Sequence, residues 1–200
     1  MLASWKGPGQ KPGDTQKLYA FHAPEVECIG KGKARTRYEF GVKTSFATTN
    51  ERCKGGQFVL GALSLPGNPY DGHTLGAQLD QVARITGRKP VRAYVDRGDR
   101  GHGLNRAGLE VHVSQTRGIT SPTIRRELRR RNGIEPVIGH MKQDGHLERN
   151  PFKGIEGDVI NAMLCAIGHN LRLLLAWFRK LLLLILAAIL SPTAQPTRAA

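Results

Sequence analysis

Apolar and polar positions alternate along residues 38–49, "YEFGVKTSFATT", where aromatic and β-branched residues are interleaved with Glu39, Lys43 and Ser45. That alternation predicts a half-buried strand. A turn-forming stretch, "ERCKGG", follows at 51–56, and "QFVLGALSLPG" then reads as a second strand, so the two are expected to pair as an antiparallel hairpin. After "NPYDGH" the period changes: Leu75, Leu79, Val82, Ala83 and Thr86 recur at helical spacing, and Gly87 stops the helix ahead of Pro90. "VRAYV" at 91–95 and "LEVHVS" at 109–114 are two further short strands, separated by the glycine-studded loop "RGDRGHG".

Ser121-Pro122 opens a basic helix that runs to Asn132-Gly133, where a second helix is expected to start. From Asp158 to about Leu190 apolar residues surround most of the helical circumference, which predicts a mostly buried helix whose last ten residues alternatively form an exposed apolar arm. Residues 1–17 are rich in Gly and Pro and read as a disordered leader, and 191–200 as a disordered tail. No internal repeat is present. The result is an α/β class assignment, with a strand–helix–strand unit at its centre.

Composition adds a partner class. Thirty Lys and Arg stand against sixteen Asp and Glu, a net charge of +14, which is the electrostatic footprint of a protein that meets phosphate-bearing polymers or anionic lipid. The three cysteines, at 28, 53 and 165, form no close pair, so neither a disulfide framework nor a zinc module is indicated, and a reducing cytoplasm is the expected compartment. "LLLLILAAIL" at 181–190 falls short of the roughly 20 apolar residues that span a bilayer, and Arg179 and Lys180 precede it directly. No membrane partner is expected on that ground.

Two carboxylates stand out against this basic background. Asp96 follows the strand 91–95 directly, at the carboxyl end where open α/β sheets bind ligands. Glu135 lies in "NGIEPVIGHMK", three residues after Asn132, where a capping-box carboxylate would reach back to the cap. The same residue shares a helical face with Lys142, two turns on, and follows Arg131. A carboxylate flanked by such cations can hold a divalent ion while they grip phosphates. Magnesium, or manganese in its place, needs only one or two protein carboxylates beside water and phosphate oxygens, and Asp96 with Glu135 make such a pair. Residues 117–153 hold nine Lys and Arg against four Asp and Glu, and "KGKARTR" at 31–37 is a second basic cluster. Such clusters are ordinarily solvated basic faces, and Arg131, Lys142, Arg97, Lys31 and Lys33 are the candidates among them for contacts to the phosphates of a nucleic acid. The histidines match no common metal-ligand spacing, and Cys165, among apolar residues at helical spacing, is expected in the core.

"YVDRGDRGH" at 94–102 and "RNGIEPVIGHMK" at 131–142, with "LYAFHAPEVECIGKGKARTRYEFGVK" at 18–43 and "PGNPYDGHTL" at 66–75, resemble the carboxyl-terminal half of a bacterial insertion-sequence transposase of the DDE type. The similarity runs from about Lys17 to about Phe178. It implies an RNase H-like mixed sheet with flanking helices, and metal-dependent cleavage and transfer of DNA by three acids. Arg131, Glu135 and Lys142 match the family's Tyr-x2-Arg-x3-Glu-x6-Lys signature, with Leu128 in place of the Tyr. Asp96 matches the second Asp of the triad. The first Asp, on the first and central strand of the sheet, has no counterpart; Asp14 lacks an apolar strand around it, and Asp71 belongs to a separate feature of the family. Asp99 stands where relatives usually carry an aromatic residue.

The resemblance thus implies residues 18–178 as a partial catalytic domain, followed by an apolar helix end and tail at 179–200. It implies DNA as partner, with a homo-oligomer or a mixed multimer with intact transposase, in the bacterial cytoplasm at the nucleoid. A chain lacking one acid of the triad is expected to be inactive alone. The alternatives are a DNA-binding remnant that modulates an intact transposase and, ranked last, a membrane-surface protein anchored by 171–190.

Overall fold

A computed structural model describes residues 18–24, 26–30, 37–53, 55–116, 118 and 121–190. The expected leader at 1–17, Lys31, Lys33 and the tail at 191–200 lie outside them.

The described strands form three separate two-stranded ladders rather than one sheet. β1 (Cys28–Gly30) pairs antiparallel with β2 (Tyr38–Phe40). β3 (Lys43–Thr48) pairs antiparallel with β4 (Val59–Leu65), which is the expected hairpin. The single strand read from Tyr38 to Thr49 is split because Gly41 takes φ +130°, a conformation that L side chains rarely adopt, so the chain leaves one ladder and enters another there.

α1 (Asp71–Thr86) starts earlier than its apolar pattern and ends as read, at Gly87 in the left-handed conformation. It lies close on β4 because Gly61 has no side chain. A Cβ there would stand 2.6 Å from both Gln78 Nε2 and Gln81 Oε1. Gln81 uses that proximity to donate to the Ala62 carbonyl at 2.9 Å. β5 (Arg92–Val95) and β6 (Glu110–Val113) pair in parallel, and Leu75 and Leu79 of α1 pack on Ala93 and Val95 in a small apolar core.

α2 (Pro122–Arg131) and α3 (Ile134–Gln143) follow almost without interruption. Asn132 and Gly133 between them both keep right-handed helical dihedrals, so Asn132 cannot act as an extended N-cap, and the capping box expected at Glu135 is not formed. The Arg130 carbonyl at the end of α2 instead accepts from Gln57 Nε2 at 2.8 Å.

α4 (Gly154–Leu190) completes the second core. Ala162, Cys165 and Ala166 pack with Val59 and Ala62 of the hairpin and with Val137 and Met141 of α3. Cys165 is a core residue, as expected. The expectation of a mostly buried helix fails beyond Asn170: Leu171, Leu175 and the whole of 180–190 are exposed, as an arm. By length and composition alone, α4 is long and apolar enough to cross a membrane.

Candidate functional site

Asp96 leaves the carboxyl end of β5, and its carboxylate is held from three sides. Oδ1 accepts from the Arg97 backbone N–H at 2.8 Å and from Ser114 Oγ at 2.9 Å. Oδ2 stands 3.4 Å from Arg131 Nη2 at the end of α2. These donors all favour the ionised form, the Arg97 N–H most, and they hold the Asp96 carboxyl below its ordinary range. Strand pattern places Ser114 at the end of 109–114 without giving it a role, yet the pairing of the two strands does. "VRAYVD" and "LEVHVS" pair in parallel with Val95 opposite Val113, so the residue after each strand lands beside the other.

Asp99 lies in the short 3-10 turn Arg97–Asp99 that follows. Burial pushes its carboxyl up, and the nearby charge of Asp71 pushes it further. Asp71, set aside in the sequence reading, therefore belongs to this corner of the molecule. It is paired with Lys43 Nζ at 2.6 Å and sits so close to Gly98 that a Cβ there would stand 2.6 Å from its Oδ2. Only a glycine at 98 permits that approach.

The other expected residues are distributed unevenly. Arg131 is brought to Asp96, with its side chain 18 % exposed. Arg97 contributes its backbone N–H, while the residue itself is exposed. Glu135 is exposed in the first turn of α3, and among the described residues its carboxylate has no hydrogen-bond or ion-pair partner. Lys142 pairs with Glu148 at 3.2 Å rather than with Glu135. A network behind the site ties the middle of α2 to β5: Tyr94 Oη donates to Glu127, which also takes Arg92 at 2.8 Å.

Among the described residues no group of three or more His, Cys, Asp or Glu stands close enough to hold a metal ion. Each of Asp96 and Glu135 is by itself an oxygen donor of the kind a hard cation takes beside phosphate oxygens and water. Two ions would need a larger supply of acids.

Residues 95–175 match the family model described as a transposase DDE domain. The matched stretch begins at the end of β5 and contains Asp96, Arg131, Glu135 and Lys142. No curated protein and no solved structure matches the chain. The match supports a DDE transposase, a class whose chemistry is the cleavage and transfer of DNA in transposition and which uses divalent metal ions.

Proposed function

We propose that the chain carries the carboxyl-terminal part of an RNase H-like transposase catalytic domain of the Tyr-Arg-Glu-Lys signature type, and that it acts on DNA in the bacterial cytoplasm. The observation that carries this reading is the family match across 95–175, which takes in both candidate acids and both signature cations. The held, ionised state of Asp96 supports it as well.

In this reading Asp96 and Glu135 hold a magnesium or manganese ion. When bound, such an ion polarises a phosphoryl oxygen and lowers the pKa of the attacking hydroxyl. The chain's own residues do the rest. The Arg97 N–H and Ser114 hydroxyl fix the Asp96 carboxylate in one orientation. Arg131 places a guanidinium at the mouth of the site, where its fork suits a phosphate, and Lys142 adds a point charge two turns along from Glu135. Arg97 and the basic face of α2 extend the phosphate-binding surface, whose affinity falls steeply with salt.

A second reading, DNA binding without catalysis, is favoured by one observation: among the described residues no three His, Cys, Asp or Glu come together as a group able to hold a metal ion. Glu135→Ala separates the two. Plasmid nicking with magnesium or manganese is measured alongside equilibrium binding to duplex DNA over a range of salt. The catalytic reading expects nicking to be abolished with binding retained. If the unaltered chain binds DNA and never nicks it, as expected of a chain with two acids of a triad, catalysis by this chain alone is excluded and the binder stands.

A further inference from the structure

The outward face of α4 carries a second apolar row, separate from the stripe that packs on the hairpin. From Ile160 onward, large apolar residues recur after four and three positions in turn, through Leu164, Ile167, Leu171, Leu174 and Phe178. Leu181 and Ile185 continue the row. All eight residues are exposed, from 36 % at Leu174 to 64 % at Phe178. Ala162, Cys165, Ala166 and His169, which fix α4 to the hairpin and α3, lie on the other side of the helix. An apolar position every 3.5 residues is the period at which one helix winds against another.

Polar residues keep off this row. Asn161, Asn170, Arg172, Arg179 and Lys180 all fall beside or behind it, so a helix laid along it meets no charge. From Ile160 to Ile185 the row is about 38 Å long at the helical rise per residue. Its half-exposed side chains offer on the order of 700 Å² per chain, close to the roughly 800 Å² that each side of a standard interface buries.

We propose that α4 is the seam of a homodimer, in which a second copy lays the same row antiparallel along this one. The row is complementary to itself in that direction. Ile160 meets the partner's Ile185, Leu164 the partner's Leu181, Ile167 the partner's Phe178 and Leu171 the partner's Leu174, and each contact is returned, as a two-fold axis requires. Charge selects the same direction. Each chain carries a net +14, and antiparallel helices set the two basic bodies at opposite ends, whereas parallel ones would set them side by side. The arm 181–190 of each chain is then covered by the first half of the other's α4. Neither Asp96 nor Glu135 takes part, so the pairing stands or falls apart from the reaction.

The test is sedimentation equilibrium on the full chain. A two-chain mass is expected, since interfaces of this size hold at about micromolar concentrations or tighter. Leu171→Glu, at the centre of the seam, is expected to weaken association about a hundredfold or more, and Leu183→Glu, on the far side of the same helix, to leave it unchanged. Leu164→Lys and Leu181→Glu are each expected to weaken it and, combined in one chain, to restore it, because the antiparallel register sets these positions face to face. All four positions are exposed, and far-UV circular dichroism checks that each variant folds. A single-chain mass at about 100 μM, or a mass above two chains, overturns the dimer. Association untouched by Leu171→Glu lies elsewhere on the molecule, and equal weakening by Leu183→Glu means indiscriminate apolar contact; either overturns the seam. A double variant that stays dissociated overturns the antiparallel register. A chain that leaves the dimer for vesicles of phosphatidylcholine and phosphatidylglycerol, as readily with Leu171→Glu as without, assigns the row to a lipid surface instead.

Discussion

The two halves of α4 are one helix in two different surroundings. In the first half the buried residues are Gly157, Asn161, Ala162, Cys165, Ala166 and His169, small or polar, spaced three and four apart along one stripe. In the second half the residues are overwhelmingly large and apolar, yet Leu183 is 60 % exposed and Leu190 76 %. Apolarity therefore does not decide which half is buried. Small side chains let the helix come close to β4 and α3, and Asn161, Asn170 and His169 fasten it with specific bonds. Leu173 and Trp177 still lie against the turn of the hairpin, but every residue of 181–190 is exposed, so that stretch stands as a large apolar surface of the kind that marks an interaction site.

The largest effect that sharpens this contrast is expected at Met141, which is 0 % exposed and packs under the first half. Met141→Ala should lower unfolding free energy by about 2–5 kcal/mol in urea titrations, whereas Leu183→Ala should change it by no more than about 0.5 kcal/mol. Equal losses would break the comparison.

Asn170 comes next, at the boundary. Its amide accepts from the Val59 N–H at 2.8 Å and donates to the Val59 carbonyl at 2.8 Å, closing the outer side of β4 as a neighbouring strand would. Asn170→Ala strands both backbone groups and should cost about 2 kcal/mol by the same titration. A loss near zero would mean that water replaces the amide freely.

The smallest expected effects concern the acids at the end of β5, and they have opposite signs. Asp96 has a lowered folded-state pKa, so its contribution is present above the ordinary carboxylate range and is lost as pH falls through the lowered value. Asp99 has a raised one, so its contribution is present at acid pH and is lost as pH rises through the raised value. Asp99→Asn should therefore raise the melting temperature at neutral pH and leave it unchanged in acid, while Asp96→Asn should lower it at neutral pH only. Thermal melts across pH check both, and parallel shifts of one sign would show that the two carboxyls do not differ in this way.

What was legible in the sequence was local. The hairpin, the end of α1 at Gly87, the two short strands and the position of Asp96 follow from alternation, helical spacing and turn residues, all of which act within a few positions. The split at Gly41 was written there too, but one glycine in a strand pattern does not say which ladder each half will join. Helix capping at Asn132 failed because the α2–α3 junction stays helical, where Gln57 of the hairpin donates to the Arg130 carbonyl. Long-range matters were hidden in the same way: Asp71 reaches the Asp99 turn only once α1 has packed, and Arg131 meets Asp96 only once α2 lies on β5. Composition left α4 open between a buried helix and an exposed apolar arm over its last ten residues; the arm is what forms, and the buried stripe is made of small and polar residues such as Ala162 and Asn161.

The clamp of Asn170 on Val59 joins residues 111 positions apart. On the ribosome, where chains grow at about 5–20 residues per second, the hairpin is complete many seconds before the helix that shields its outer edge has emerged. During that interval β4 offers bare peptide groups to any passing strand. The exposed interval thus falls in synthesis or refolding, where a holding chaperone or slow dilution is expected to shield β4 until Asn170 reaches Val59.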